Sequence, residues 1–197
     1  MKNKTIILGS ASEGRQEIFK NYFGDFKTII SNINEEKTLK QLKSYKDDPL
    51  MVAMFLSYKK SNSILESLKE ENDFLLFTFD TVVTYEGEIK HKPKDKEEAR
   101  SWLYSYRGDF QEIITGYTIF SSSSKRFITN YDRCIVYFKK VDDQIIEEYI
   151  NNNPVEKWAG GIAIERSNDF LKIIQGTVES IIGVPMEKIL EDIKLIS

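Results

Sequence analysis

Two acidic residues stand where a carboxylate is suited to hold a metal ion or to accept a proton. Asp80 directly follows residues 74–79, an apolar run typical of a central strand buried on both faces. At the tip of such a strand, a carboxylate is partly desolvated and firmly oriented. Glu35 follows a second predicted strand, residues 26–33. Taken alone, Asp80 also fits a turn-forming residue, and Glu35 fits a solvated surface acid.

A turn rich in small residues lies between a short predicted strand and a helix-like segment near the start of the chain. Residues 10–15 read Ser-Ala-Ser-Glu-Gly-Arg. This arrangement aims backbone N–H groups at an anion, and Ser10, Ser12 and Arg15 would add hydroxyl and guanidinium contacts to phosphate oxygens. A plain helix cap by Ser12 is the alternative interpretation.

Two lysines complete the set of candidate site residues. Lys60 falls on the apolar side of a helix predicted to begin at Asp48-Pro49, and Lys92 precedes a proline in a loop. Each alone also fits an ordinary lysine, either snorkelling from an apolar face or lying on the surface. Together, the cations would offset charge on a triphosphate, and the carboxylates would hold metal and activate water. Phosphoanhydride hydrolysis needs these functions and no nucleophilic side chain.

The predicted elements favour an α/β fold built on a mixed sheet. Strands alternate with helices, but hairpin-like segments interrupt the alternation, so a fully parallel sheet is disfavoured. Hairpin strands are predicted over residues 82–89 and as the pair 110–120 and 127–138, with residues 37–48 as loop or frayed helix. Residues 1–197 are predicted to form a single domain.

Composition narrows the class of protein. The net charge of −3 does not favour nucleic-acid binding, which needs clustered cations. A single cysteine, Cys134, forms no internal disulfide, and no apolar run approaches the ~18–20 residues that span a bilayer. We therefore expect a cytoplasmic protein without membrane or nucleic-acid partners. The sequence has neither a GxxxxGK[ST] loop nor a GxGxxG turn, and its one histidine, His91, supports neither a zinc site nor a Ser-His-Asp triad.

Short motifs in a fixed order resemble the Maf family of nucleotide pyrophosphatases over nearly the whole chain. Residues 6–12 resemble the opening LILASxSPRR, 30–36 resemble VSxVDE, and 79–83 resemble GADTVV. Residues 87–93 resemble the GEILGKP loop. Lys60 falls at the lysine of LAxxKA. Later matches are residues 107–117 to SGxxHxVxTGV, 147–150 to EIxxYI, 157–160 to DKAG and 183–185 to VVGLP.

This resemblance implies an α/β fold with a twisted mixed β-sheet, flanking helices and two lobes around a central cleft, often assembled as a homodimer. It implies hydrolysis of a nucleoside triphosphate to the monophosphate and diphosphate, with a divalent metal such as Mg, Mn or Co. Asp80 falls at the family's proton acceptor, where with Glu35 it would hold the metal. Ser10, Ser12, Arg15, Lys60 and Lys92 fall at positions expected to bind substrate.

Several replacements distinguish this chain from the family pattern. Glu13-Gly14 stands in place of Pro-Arg, and Thr78-Phe79 in place of Gly-Ala, which is expected to narrow the site. At the positions that separate branches of the family, Thr81 follows the dTTP/UTP branch and Glu165 the 7-methyl-GTP branch, whereas Gly14 follows neither. We predict dTTP/UTP. The alternatives are a catalytically impaired Maf-like nucleotide-binding or regulatory protein, and an α/β domain with an unrelated pocket.

Overall fold

The computed structural model describes residues 4–68, 73–167 and 169–196. The described strands are β1 (Thr5–Gly9), β2 (Lys27–Thr28), β3 (Phe74–Tyr85), β4 (Glu88–Lys90), β5 (Phe110–Ser121), β6 (Arg126–Phe138) and β7 (Leu171–Gln175). The described α-helices are α1 (Glu13–Phe23), α2 (Glu35–Leu39), α3 (Pro49–Ser67), α4 (Lys96–Ser105), α5 (Asp143–Asn152), α6 (Val178–Ile182) and α7 (Met186–Ile196). Short 3-10 turns connect several of them.

The seven described strands form one mixed sheet in the order β2-β1-β3-β5-β6-β7, with β4 paired to β3. β1 lies parallel to β2 and β3, whereas the pairs β3–β5, β5–β6 and β6–β7 are antiparallel. The predicted α/β fold with a mixed sheet is therefore confirmed. The hairpins β3–β4 and β5–β6 lie in the antiparallel part of the sheet, and α1 connects β1 to β2 in the parallel part.

The sheet has a gap beside the middle of β3. Along β3, the pairing with β1 stops at Thr78, opposite Gly9, and the pairing with β4 starts at Val83, opposite Lys90. Residues 79–82 of β3 therefore have β5 on one side and, among the described residues, no strand on the other. Such an unpaired stretch leaves backbone and side chains accessible to a ligand.

Two predicted strand ends are wrong. Asp80 does not end its strand: β3 continues for five more residues because β5 pairs with it from Leu75 to Thr84. Glu35 does not follow a strand, since β2 contains only Lys27 and Thr28. Instead, Glu35 is the first residue of α2, which Asn34 caps by accepting a hydrogen bond from the Lys37 backbone N–H.

Helix α3 is held close to the sheet, and this sets the position of Lys60. Asp48 caps the helix and Pro49 begins it, as predicted. A Cβ at Gly116 would lie 2.3 Å from the backbone carbonyl of Ala53, so only glycine lets α3 approach β5 this closely. Gly116 pairs directly with Asp80, so the helix crosses the sheet beside that carboxylate.

The core divides around the sheet. One buried cluster packs α1 and α7 against β1 and β3, with Phe19, Phe77 and Ile189 among its members. Another packs α4 and α5 together, with Leu103 and Ile150. Among the residues that the structure describes, no helix is long and apolar enough to cross a membrane.

Candidate active site

A cleft of about 970 Å³ opens around the gap in the sheet. Most of the predicted site residues line it, namely Ser12, Arg15, Glu35, Lys60, Asp80, Thr81 and Lys92. Successive residues of β3 project to opposite faces, so Asp80 meets α3 on one face and Thr81 meets α1 on the other. The cleft thus collects groups from both faces of the sheet at the place where one strand edge is uncovered.

Lys60 bridges the two predicted carboxylates. Its Nζ lies 2.6 Å from Asp80 Oδ1 and 2.8 Å from Glu35 Oε1. The Asp80 and Lys60 side chains are largely buried, whereas the Glu35 side chain is 53% exposed. The two acids therefore converge on one point, as their predicted joint role requires.

Burial and charge act in opposite directions on these three groups. Burial raises the pKa of Asp80 above its usual value, and the attraction of Lys60 only partly offsets this effect. Burial also tends to raise the pKa of Glu35, but the charges of Lys60 and Lys92 outweigh it and the net pKa is lowered. For Lys60, burial lowers the pKa, yet Asp80 and Glu35 together raise it, so its ammonium stays charged.

On the opposite face of β3, the guanidinium of Arg15 donates hydrogen bonds to two hydroxyl groups. Its Nη1 donates to Ser10 Oγ at 3.3 Å and its Nη2 to Thr81 Oγ1 at 2.8 Å. The guanidinium carbon lies 5.3 Å from the centroid of the Phe79 ring. Burial lowers the pKa of Arg15 to about 10, so it remains a cation at neutral pH. Within the described ranges its buried Nε has no hydrogen-bond partner.

The small-residue turn supports Arg15 and caps α1. Ser10 is buried, and its Oγ accepts from the Ser12 backbone N–H as well as from Arg15. Ser12 caps the helix by accepting from the Arg15 backbone N–H at 3.4 Å. Ser12 lines the cleft, whereas Ser10 stands behind Arg15. The first turn of α1 therefore faces the cleft with its positive dipole end.

The remaining predicted residues are not shown to line the cleft. Gly14 lies in the first turn of α1 and is not among the residues that line the cleft. Glu165 belongs to a short 3-10 turn, but its side chain lies outside the described part of the structure. The expected narrowing by Thr78 and Phe79 is wrong, because neither lines the cleft. Phe79 is buried against Phe19, where its ring supports Arg15.

Other polar residues also line the cleft but were not among the predicted site residues: Glu36, Lys90, His91, Gln111 and Lys157. Lys157 lies in a segment that resembles a family motif, and this signal alone pointed to it. Gln111 stands at the histidine of SGxxHxVxTGV when residues 107–117 are aligned with that motif. This replacement is the signal in the sequence that could have identified it. Its burial and its neighbours follow only from the pairing of β5.

The two carboxylates fit a divalent cation that is also held by substrate. Mg²⁺ is commonly bound by one or two carboxylates together with phosphate oxygens. Glu35 and Asp80 supply two carboxylates at one point of the cleft. In the part of the chain that the structure describes, no cluster of three or more His, Cys, Asp or Glu side chains provides an all-protein metal cage.

Comparison with known proteins agrees with this geometry. The profile of the family described as Maf-like protein matches residues 5–195. The chain is 32% identical over 188 residues to the "dTTP/UTP pyrophosphatase" of Clostridium botulinum (strain Kyoto / Type A2), covering 94% of each chain. It is 30% identical over 190 residues to the protein of the same name from Thermoanaerobacter sp. (strain X514), covering 96% of this chain and 95% of the relative. The chain therefore belongs to the Maf-like protein family.

Proposed function

We propose that this protein hydrolyses a nucleoside triphosphate, dTTP or UTP, to the monophosphate and diphosphate. The observation that carries the proposal is the convergence of Asp80, Glu35 and Lys60 on one point of a cleft that Arg15 and Lys92 also line. Cations placed in this way offset the charge of a triphosphate, and a buried carboxylate beside them is suited to act as a base. The names of the relatives support the choice of substrate.

The chemical step is an attack of water on the α-phosphorus. The water oxygen forms a bond to that phosphorus while the bond from the phosphorus to the α,β-bridging oxygen breaks. Asp80 accepts the water proton, and its raised pKa makes it a stronger base than an ordinary aspartate. Arg15, Lys60 and Lys92 stabilise the negative charge that moves to the diphosphate leaving group.

We further propose that the reaction uses a divalent cation, Mg²⁺, Mn²⁺ or Co²⁺, held by Glu35 and Asp80. When bound, such an ion would withdraw charge from the phosphate oxygens. Lys60 now neutralises the same two carboxylate oxygens. With Glu35 and Asp80 holding such an ion, the Lys60 ammonium would be available to the substrate phosphates.

A panel of triphosphates tests the proposed function. Diphosphate and orthophosphate release are measured separately for dTTP, UTP, dCTP, dATP, dGTP and 7-methyl-GTP, with Mg²⁺, Mn²⁺, Co²⁺ or EDTA. We expect equimolar monophosphate and diphosphate from dTTP and UTP, and none with EDTA. Nucleotide-induced thermal stabilisation without product under every metal would contradict hydrolysis and favour the nucleotide-binding alternative. Turnover in EDTA would contradict the metal requirement alone.

The homodimer and the cytoplasmic location implied by the sequence stay predictions. Light scattering of the purified chain measures the first, and fractionation of cells that express it measures the second. We propose the homodimer on the family resemblance, and the location on the single cysteine and the lack of a long apolar run in the sequence. A monomer at all accessible concentrations would contradict the first prediction, and recovery with membranes would contradict the second.

A further inference from the structure

One end of the cleft contains a buried side-chain amide whose NH2 group has no partner among the described residues. Gln111 is 2% exposed, lies on β5 and lines the cleft. Its Nε2 has no hydrogen-bond partner among the residues that the structure describes. A buried donor left in this way costs free energy, so a polar group is expected to meet it in the working protein.

The strand register places Gln111 in line with Arg15. Residues 111, 113 and 115 of β5 project to the same face of the sheet. On that face Thr115 shares a hydrogen bond with Thr81, which accepts from Arg15. Thr115 and Gln111 are four positions apart on the strand, which is about 14 Å at ~3.4 Å per residue. This separation is on the scale of a nucleotide extended from its phosphates to the far edge of its base.

The surface between these two ends is apolar. Val83 pairs with Ile113 across the strands, and both line the cleft. Ile164, Leu171 and Ile181 pack with these two residues in one apolar cluster and also line the cleft. Aliphatic groups suit the flat faces of a nucleobase, whereas a single amide among them suits one polar atom on its edge.

We propose that Gln111 is a specificity-determining residue that recognises the base: its Nε2 donates to the 4-carbonyl oxygen of uracil or thymine. Cytosine carries an amino group in place of the 4-carbonyl oxygen, so a donor directed at that position rejects it. This inference rests on the proposed function, because the direction of the bound nucleotide follows from phosphates placed at Arg15, Lys60 and Lys92.

Equilibrium binding tests the inference separately from turnover. The α,β-imido analogues of dUTP and dCTP, which resist cleavage at the α,β position, are titrated in Mg²⁺ into the whole protein by calorimetry. We expect the wild type to bind the uracil analogue at least about 10-fold more tightly, the order expected for one matched against one mismatched hydrogen bond. Gln111→Met keeps the side-chain length but removes the donor, and should abolish this ratio. Gln111→Glu presents only acceptors and should reverse it towards cytosine.

Two controls separate recognition from folding. Inorganic diphosphate has no base, so its affinity should be the same for the wild type and both variants. Glu112→Gln changes the adjacent residue, which pairs with Arg133 and does not line the cleft, and should keep the wild-type ratio. An unchanged ratio in both folded Gln111 variants, or a wild type that binds the two analogues equally, would overturn the inference. A wild type that discriminates between them but releases no diphosphate from dTTP would contradict the proposed function and leave the role of Gln111 standing.

Discussion

Two aspartates are buried to nearly the same extent, yet their surroundings differ. Asp80 is 8% exposed and Asp192, on α7, is 9% exposed. Asp80 faces Lys60 and an open cleft. Asp192 instead accepts from the hydroxyl of Tyr117 at 2.7 Å and from the amide of Asn130 at 3.1 Å, where α7 packs on β5 and β6.

The two regions differ in how many hydrogen-bond donors around the aspartate have a partner within the protein. Around Asp192, the Tyr117 hydroxyl and the Asn130 amide both donate to one oxygen, so their donors hold the helix to the sheet. In the cleft that Asp80 lines, Arg15 Nε and Gln111 Nε2 remain without partners within the described residues. Equal burial therefore accompanies two roles: one network stabilises the fold, and the other keeps charge and donors available to a ligand.

The largest expected effect is that of Asp80→Asn on turnover. Diphosphate release should fall at least ~100-fold, the lower range for loss of a general base. The melting temperature is measured beside turnover, because the neutral amide relieves the burial cost of the Asp80 carboxylate but also removes one of the two charge partners of the buried Lys60. Asp192→Asn is the matched control and should retain turnover. Undiminished diphosphate release by Asp80→Asn would remove Asp80 from the mechanism.

Asp192→Leu should weaken the fold without impairing the site. The apolar side chain leaves the buried Tyr117 hydroxyl without its acceptor, which costs about 1–3 kcal/mol in the free energy of unfolding. Urea denaturation of the two proteins measures this difference. The double variant Tyr117→Phe/Asp192→Leu removes donor and acceptor together and should recover much of the loss. If it were as unstable as Asp192→Leu alone, the hydrogen bond would not be the source of stability.

The smallest effect is expected for Lys188→Met. Lys188 lies 2.6 Å from Asp132, the same separation as Lys60 from Asp80, but the Lys188 side chain is far more exposed. The Lys188 side chain is 45% exposed and the Asp132 side chain 15%, and an ion pair whose cation remains in solvent contributes about 1 kcal/mol or less. Urea denaturation should show a change no larger than that, and the kcat for dTTP should be unaltered. A fall in kcat comparable to that of Asp80→Asn would contradict the separation of the two regions.

The sequence by itself determined which charged residues belong together. Arg15, Glu35, Lys60, Asp80 and Lys92 lie in short local motifs, and their combination, together with the resemblance of those motifs to the Maf family, indicates phosphate chemistry. It also determined the start of α3, because the Asp48 cap and Pro49 act through neighbouring backbone groups. Features of this kind depend on residues a few positions apart, so a single chain suffices to recognise them.

Only the tertiary structure decided how the site is assembled. Asp80 lies inside a long strand because it pairs with Gly116, and the cleft exists because β1 and β4 leave one edge of that strand uncovered. Gln111 enters the cleft through the same long-range register. Strand pairing joins segments far apart in the chain, and a one-residue shift in register would turn each side chain to the other face. The register between distant strands cannot be read from local sequence patterns.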